Sequence, residues 1–125
     1  MAKHFRDLIV WQKAVELSTL IYAATSSFPK SELYGLTSQM RRASVSIASN
    51  IAEGSARGSK RDFKQFVAIA RGSNYELQTQ LVIAQKLKFG SEASLQKAEA
   101  LSHEIGRMLS KLSDFLGNRI LTTEN

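Results

Sequence analysis

Apolar residues recur along this chain at intervals of three and four, the period of an α-helix with one buried face. In the first segment Leu8, Trp11, Val15, Ile21 and Tyr22 fall together, and Asp7 stands where a capping residue would begin the helix. Pro29 disfavours helical geometry at Phe28, so the pattern breaks across Phe28-Pro29-Lys30-Ser31. Ser31 can cap a second helix with the core face Leu33, Leu36, Met40, Ala43, Ile47 and Ile51, and Gly54 and Gly58 are expected to end it. Ser59 and Asp62 then stand at capping-box spacing, with Asp in place of the usual Glu or Gln. The third helix carries Phe63, Phe66, Ala70, Ser73, Leu77, Leu81, Ala84 and Leu87, and Gly90-Ser91 separates it from the fourth. There Leu95, Ala98, Ser102, Ile105, Leu109, Leu112 and Leu116 keep the spacing, Gly117-Asn118 is expected to close the helix, and a polar tail follows.

No strand pattern competes. The reading is all-α: helices over about residues 7–27, 32–56, 60–89 and 92–117 within a single domain, 1–125. Helices of this size are each about 30–40 Å long at about 1.5 Å per residue. The short connections favour antiparallel neighbours and an up-down-up-down four-helix bundle.

Composition narrows the class of protein. A chain of 125 residues, 43% hydrophobic with one proline, can bury a core without crosslinks and is a poor candidate for extended disorder. There is no cysteine, which excludes disulfide scaffolds, thiolate zinc sites and cysteine nucleophiles. No secretory signal is visible, and no apolar run approaches the roughly 18 residues of a membrane span, so a cytoplasmic protein is expected.

Charge adds a partner class. The chain is +6 overall, and nearly all of that excess lies in residues 41–71, where Arg41, Arg42, Arg57, Lys60, Arg61, Lys64 and Arg71 face only Glu53 and Asp62. Uneven positive charge steers polyanions, so these seven side chains are the candidate phosphate contacts. Arg41 and Arg42 point about 100° apart on a helix. The others cluster at the junction of the second and third helices, where helix N-terminal amides can receive phosphate. The junction is not a Walker loop, because Ser59 and not glycine stands immediately before Lys60 and no strand precedes the junction. Binding of this kind is mainly electrostatic. Small side chains on the second helix offer little to base edges, and the aromatics fall largely on core faces, so structured RNA is favoured over sequence-read DNA.

The second helix reads Ala43-Ser44-Val45-Ser46-Ile47-Ala48-Ser49-Asn50-Ile51-Ala52, which lets backbones approach and lets Ser and Asn bond to carbonyls or to each other. Here the sequence resembles a known family. Asp7-Leu8-Ile9-Val10-Trp11-Gln12-Lys13-Ala14, Phe28-Pro29, Glu32-Leu33-Tyr34-Gly35-Leu36, Gln39-Met40-Arg41-Arg42-Ala43, Ser49-Asn50-Ile51-Ala52-Glu53-Gly54, Ala68-Ile69-Ala70-Arg71-Gly72-Ser73 and Glu76-Leu77-Gln78-Thr79-Gln80-Leu81 occur in order. Together they resemble a bacterial four-helix-bundle family encoded within intervening sequences of 23S ribosomal RNA genes. The resemblance covers about residues 5–118, with Ala48 where many relatives have proline. It implies an antiparallel bundle assembling into a ring-like homo-oligomer, a homopentamer. Accessory variability determinant proteins of diversity-generating retroelements resemble the family in fold, form basic pentameric barrels, and bind nucleic acid and a reverse transcriptase.

Tyr75, Val82 and Phe89 recur every seven residues on the back of the third helix, which marks them as the candidate oligomer interface. Leu101, Met108 and Phe115 widen the stripe of the fourth. Little points to catalysis. The histidines are His4 and His103, and Ala100 stands where a Glu-x-x-His metal motif needs Glu. Glu99 is the expected intrahelical partner of His103. Glu53 and Glu76 read as structural carboxylates, bonded to Arg42 or Asn50. No cofactor or metal is expected. The reading is a non-catalytic, nucleic-acid-binding homo-oligomer, with a protein scaffold or adaptor for an acidic protein partner as the alternative.

Overall fold

The computed structural model describes residues 4–124, with side chains described for 4–117. Among the described residues there are four α-helices and no strand: α1 Ile9–Thr25, α2 Leu36–Ser55, α3 Lys60–Lys86 and α4 Glu92–Glu124. Neighbours in sequence pack together, and α1 also packs against α4. None of the helices is long and apolar enough to cross a membrane.

The start of α1 differs from expectation. Asp7 does not cap it; Phe5–Asp7 form a 3-10 turn led by His4, and Leu8 precedes α1 with no side-chain cap. The buried face is Val10, Ala14, Leu17, Ile21 and Ala24, while Val15 and Tyr22 are exposed. Two interleaved patterns at three and four run along this segment. The one rich in alanine goes inward because it lets α1 sit close to its neighbours, leaving Leu8 and Trp11 partly buried at the flank.

The start of α2 also shifts. Ser31 lies in a second 3-10 turn, Lys30–Glu32, and Leu36 is the first α2 residue. The Glu32 carboxylate does the capping, with its Oε1 accepting from the Leu36 amide at 3.0 Å. This leaves Leu33 exposed rather than in the core, while Met40, Ala43, Ile47 and Ile51 are buried as the spacing predicts.

The end of α2 fixes its approach to α3. Gly54 stays inside the helix, where a Cβ would meet Phe66 Cβ at 2.6 Å and Phe63 Cδ1 at 3.0 Å. Its missing side chain is what admits the two rings. The chain then reverses through Gly58, whose φ of +88° lies in the left-handed region that favours glycine. Ser59 caps α3 as predicted, its Oγ accepting from the Asp62 amide at 3.1 Å.

In α3 the core positions are Val67, Ala70, Leu77, Leu81 and Ala84, and Leu87 is exposed instead of buried. The fourth-helix pattern is correct, with Leu95, Ala98, Ser102, Ile105, Leu109 and Leu116 buried and Leu112 partly so. Gly117-Asn118 does not close α4, whose backbone continues helical to Glu124 in place of a tail. Hydroxyl contacts knit the helices: Ser18 with Ser44 at 3.2 Å between α1 and α2, and Ser46 with Ser73 at 2.9 Å between α2 and α3.

Candidate nucleic-acid interface

The α2–α3 turn is exposed continuously from residue 56 to 62. It carries Arg57, Lys60 and Arg61 beside the amino end of α3. Arg57 is partly neutralised, because its guanidinium meets Glu53 Oε2 at 2.8 Å and lies 4.7 Å from the Phe66 ring centroid. That geometry holds the arginine over the turn. Glu53 is therefore exposed and paired with Arg57, and not with Arg42 or Asn50. Asn50 instead donates to the Ser46 carbonyl at 2.8 Å and to its Oγ at 3.0 Å.

The remaining cations disperse. Lys64 is drawn toward α4, its Nζ donating to the Ser113 carbonyl at 3.0 Å and to Ser113 Oγ at 3.1 Å. Arg71 is half-buried two turns further along the same edge of α3. Arg42 lies about 22 Å from Arg57 along α2, at about 1.5 Å per residue. Arg41 is engaged by α1: its Nε donates to Thr25 Oγ1 at 2.9 Å, and its guanidinium stacks 4.7 Å from the Tyr22 ring centroid. The structure thus brings three of the seven predicted phosphate contacts into one open turn. It places Lys64 and Arg41 in bonds that fasten helices.

Arg42 faces a different feature. Gln39, Arg42, Ala43 and Ser46 from α2, with Ser73 and Glu76 from α3, line an open groove of about 470 Å³. Glu76 is exposed there rather than bonded to Arg42 or Asn50. Positions 39, 42 and 46 share one helical edge, so the α2 side of this groove is legible in the sequence, whereas the α3 edge that faces it is not.

On the back of α3, Tyr75 and Val82 are 57% and 41% exposed, while Ile69 and Ile83 are exposed about 100° around the helix, on the line that carries Glu76. The last two were missed, although their spacing of two heptads was legible. Phe89 does not belong to this outer face: it packs on the core, its ring centroid 5.5 Å from that of Phe28. Phe115 on α4 is exposed, Leu101 is buried and Met108 partly buried. His103 Nε2 lies 3.8 Å from Glu99 Oε2, the intrahelical pairing expected from spacing.

Residues 6–111 match the family model described as 23S rRNA-intervening sequence protein. The chain belongs to this family. Among solved structures, the chain is similar to a protein of unknown function from the S23 ribosomal protein family of Bacteroides thetaiotaomicron. That likeness has a TM-score of 0.75 at 21% identity, over 84% of this chain and 98% of the other, and it concerns the fold. None of the curated proteins matches the chain. Residues 49–54, within the matched span, are the end of α2 that seats Phe66 and anchors Arg57.

Proposed function

We propose that this protein is a non-catalytic RNA-binding bundle that grips the phosphates of structured RNA with its α2–α3 turn, repeated around a homo-oligomer. The observation that carries this reading is the uninterrupted exposed run 56–62, in which Arg57, Lys60 and Arg61 flank the Ser59-capped start of α3. A cationic turn with helix amides behind it is suited to phosphate oxygens. Membership in a family described by 23S ribosomal RNA favours RNA as the polyanion, and a cytoplasmic location goes with it.

An up-down-up-down topology is supported by contacts that run in opposite order along paired helices. Ser46 meets Ser73 whereas Gly54 meets Phe66, and Lys64 meets Ser113 whereas Gln85 meets Glu99. Self-association through Tyr75 and Val82 is supported by their exposure one heptad apart on the back of α3. Copies in a ring would repeat a weak turn and gain avidity.

The test is binding of an RNA hairpin across a salt series by wild type and by a Lys60→Ala/Arg61→Ala variant. Affinity should fall steeply with salt, and the variant should bind more weakly with a shallower slope. A hairpin that fails to bind even at low salt, or a variant with unchanged slope, overturns the reading.

A further inference from the structure

The groove between α2 and α3 holds two opposite charges that do not meet. Arg42 and Glu76 both line it, from facing helices, yet among the described residues neither makes an ion pair or a hydrogen bond. Elsewhere on the protein opposite charges do pair, Lys13 with Glu104 at 3.1 Å and Arg57 with Glu53 at 2.8 Å. One turn along the groove from the two charges, Ser46 and Ser73 are bonded to each other, and Gln39 also lines it. Glu76 is thus a carboxylate with no donor among the described residues.

These groups describe a ligand edge. It must give adjacent N–H donors to Glu76 and acceptors to Arg42, and it must be nearly neutral, because the two protein charges balance. A phosphate fails the first requirement. Among nucleobases, adenine, cytosine and uracil do not present two neighbouring N–H donors on separate ring positions beside an acceptor. Guanine does: its N1–H and N2–H suit a carboxylate, and its O6 and N7 are the acceptors arginine takes. Unpaired bases in RNA loops are read on these edges. A volume of about 470 Å³ lies within the range of about 300–1,000 Å³ usual for small-molecule sites.

We infer that the α2–α3 groove receives an unpaired guanine base, with Glu76 accepting from its N1–H and N2–H and Arg42 donating to its O6 edge. This rests on the RNA reading and deepens it: the turn holds phosphate, and the groove about 22 Å away along α2 selects a base. The two sites separate affinity from choice of sequence. Arg42 then leaves the phosphate set for a different role.

The experiment uses the full chain and two kinds of probe. Guanosine, inosine and adenosine are titrated by calorimetry or by amide chemical shifts. Hairpins with a single loop guanine or adenine are compared at fixed salt. Guanosine should bind about tenfold more tightly than adenosine, the scale of one bidentate contact, with inosine, which lacks the N2 amine, between them. Glu76→Gln should erase that preference and leave the salt slope of hairpin binding unchanged. Lys60→Ala/Arg61→Ala should do the reverse. Glu76 and Arg42 are both exposed, so substitution there should keep the fold, which circular dichroism checks. Equal binding of the nucleosides, or a guanine preference that survives Glu76→Gln, overturns the inference. So does absence of nucleoside binding because a second copy or an acidic peptide fills the groove. Hairpin binding without a guanine preference defeats the inference and spares the phosphate reading. Guanosine binding without hairpin binding at any salt does the opposite.

Discussion

Asn74 on α3 and Ser102 on α4 hold each other by two hydrogen bonds, with both residues almost wholly buried. Ser102 Oγ donates to Asn74 Oδ1 at 2.7 Å, and Asn74 Nδ2 donates to the Ser102 carbonyl at 3.0 Å. A reciprocal pair between helices fixes rotation and register together, because sliding α4 by one residue would break both bonds. Ser102→Ala should destabilise the fold by about 1–3 kcal/mol, since it strands a buried amide oxygen. In denaturant unfolding, the double variant with Asn74→Ala should cost much less than the two single changes summed. Additive costs would show that the pair does not act as a unit.

Two glycines should respond to alanine with opposite signs. Gly54→Ala puts a methyl at 2.6 Å from Phe66 Cβ, so overpacking of about 1–3 kcal/mol outweighs the gain of about 1 kcal/mol in helix propensity. At Gly72 nothing lies within 4 Å of the added carbon, and Gly72→Ala should stabilise by about 0.5–1 kcal/mol. Melting temperatures of the two variants should move in opposite directions.

The two bonded cations should behave as structural residues. Arg41→Ala removes the bond to Thr25 and the stacking on Tyr22, and Lys64→Ala removes the bonds to Ser113. Each should lower stability by about 1 kcal/mol while leaving the salt slope of RNA binding within error of wild type. A slope lowered by about 0.9 per residue, the duplex value for one lost phosphate contact, would return them to the phosphate set.

Self-association should depend on the outer face of α3 and not on Phe89. Tyr75→Ser/Val82→Ser should reduce the mass measured by light scattering to that of one chain, with helicity retained. Phe89→Ala should lower stability by removing a ring from the Phe28 contact, without changing the mass of the folded protein. Unchanged mass in the double variant would place the interface elsewhere.

How much of this was legible in the sequence varies by helix. The α4 pattern is legible almost residue for residue because one unbroken stripe runs from Leu95 to Leu116, and Leu101, Met108 and Phe115 only widen it. The α1 face was misread because two stripes of equal period compete there, and periodicity cannot say whether Ala14 or Val15 turns inward. The start of α2 was placed early because Glu32 caps from within a 3-10 turn, an arrangement that Ser31 disguises. Ser59, by contrast, was a local signal and was correct. The charged site was legible as a charge count and not as a surface. Arg41 and Lys64 look like Lys60 in sequence, and only the neighbouring helices decide that they bond inward.

The seating of Phe63 and Phe66 against the bare backbone of Gly54 makes the last turn of α2 and the first of α3 one rigid corner. Arg57 is stacked on that same Phe66, so the cationic tip is assembled before any ligand arrives. A partner docking there would lose little chain entropy on the protein's side, and its association should be fast and show a small heat-capacity change.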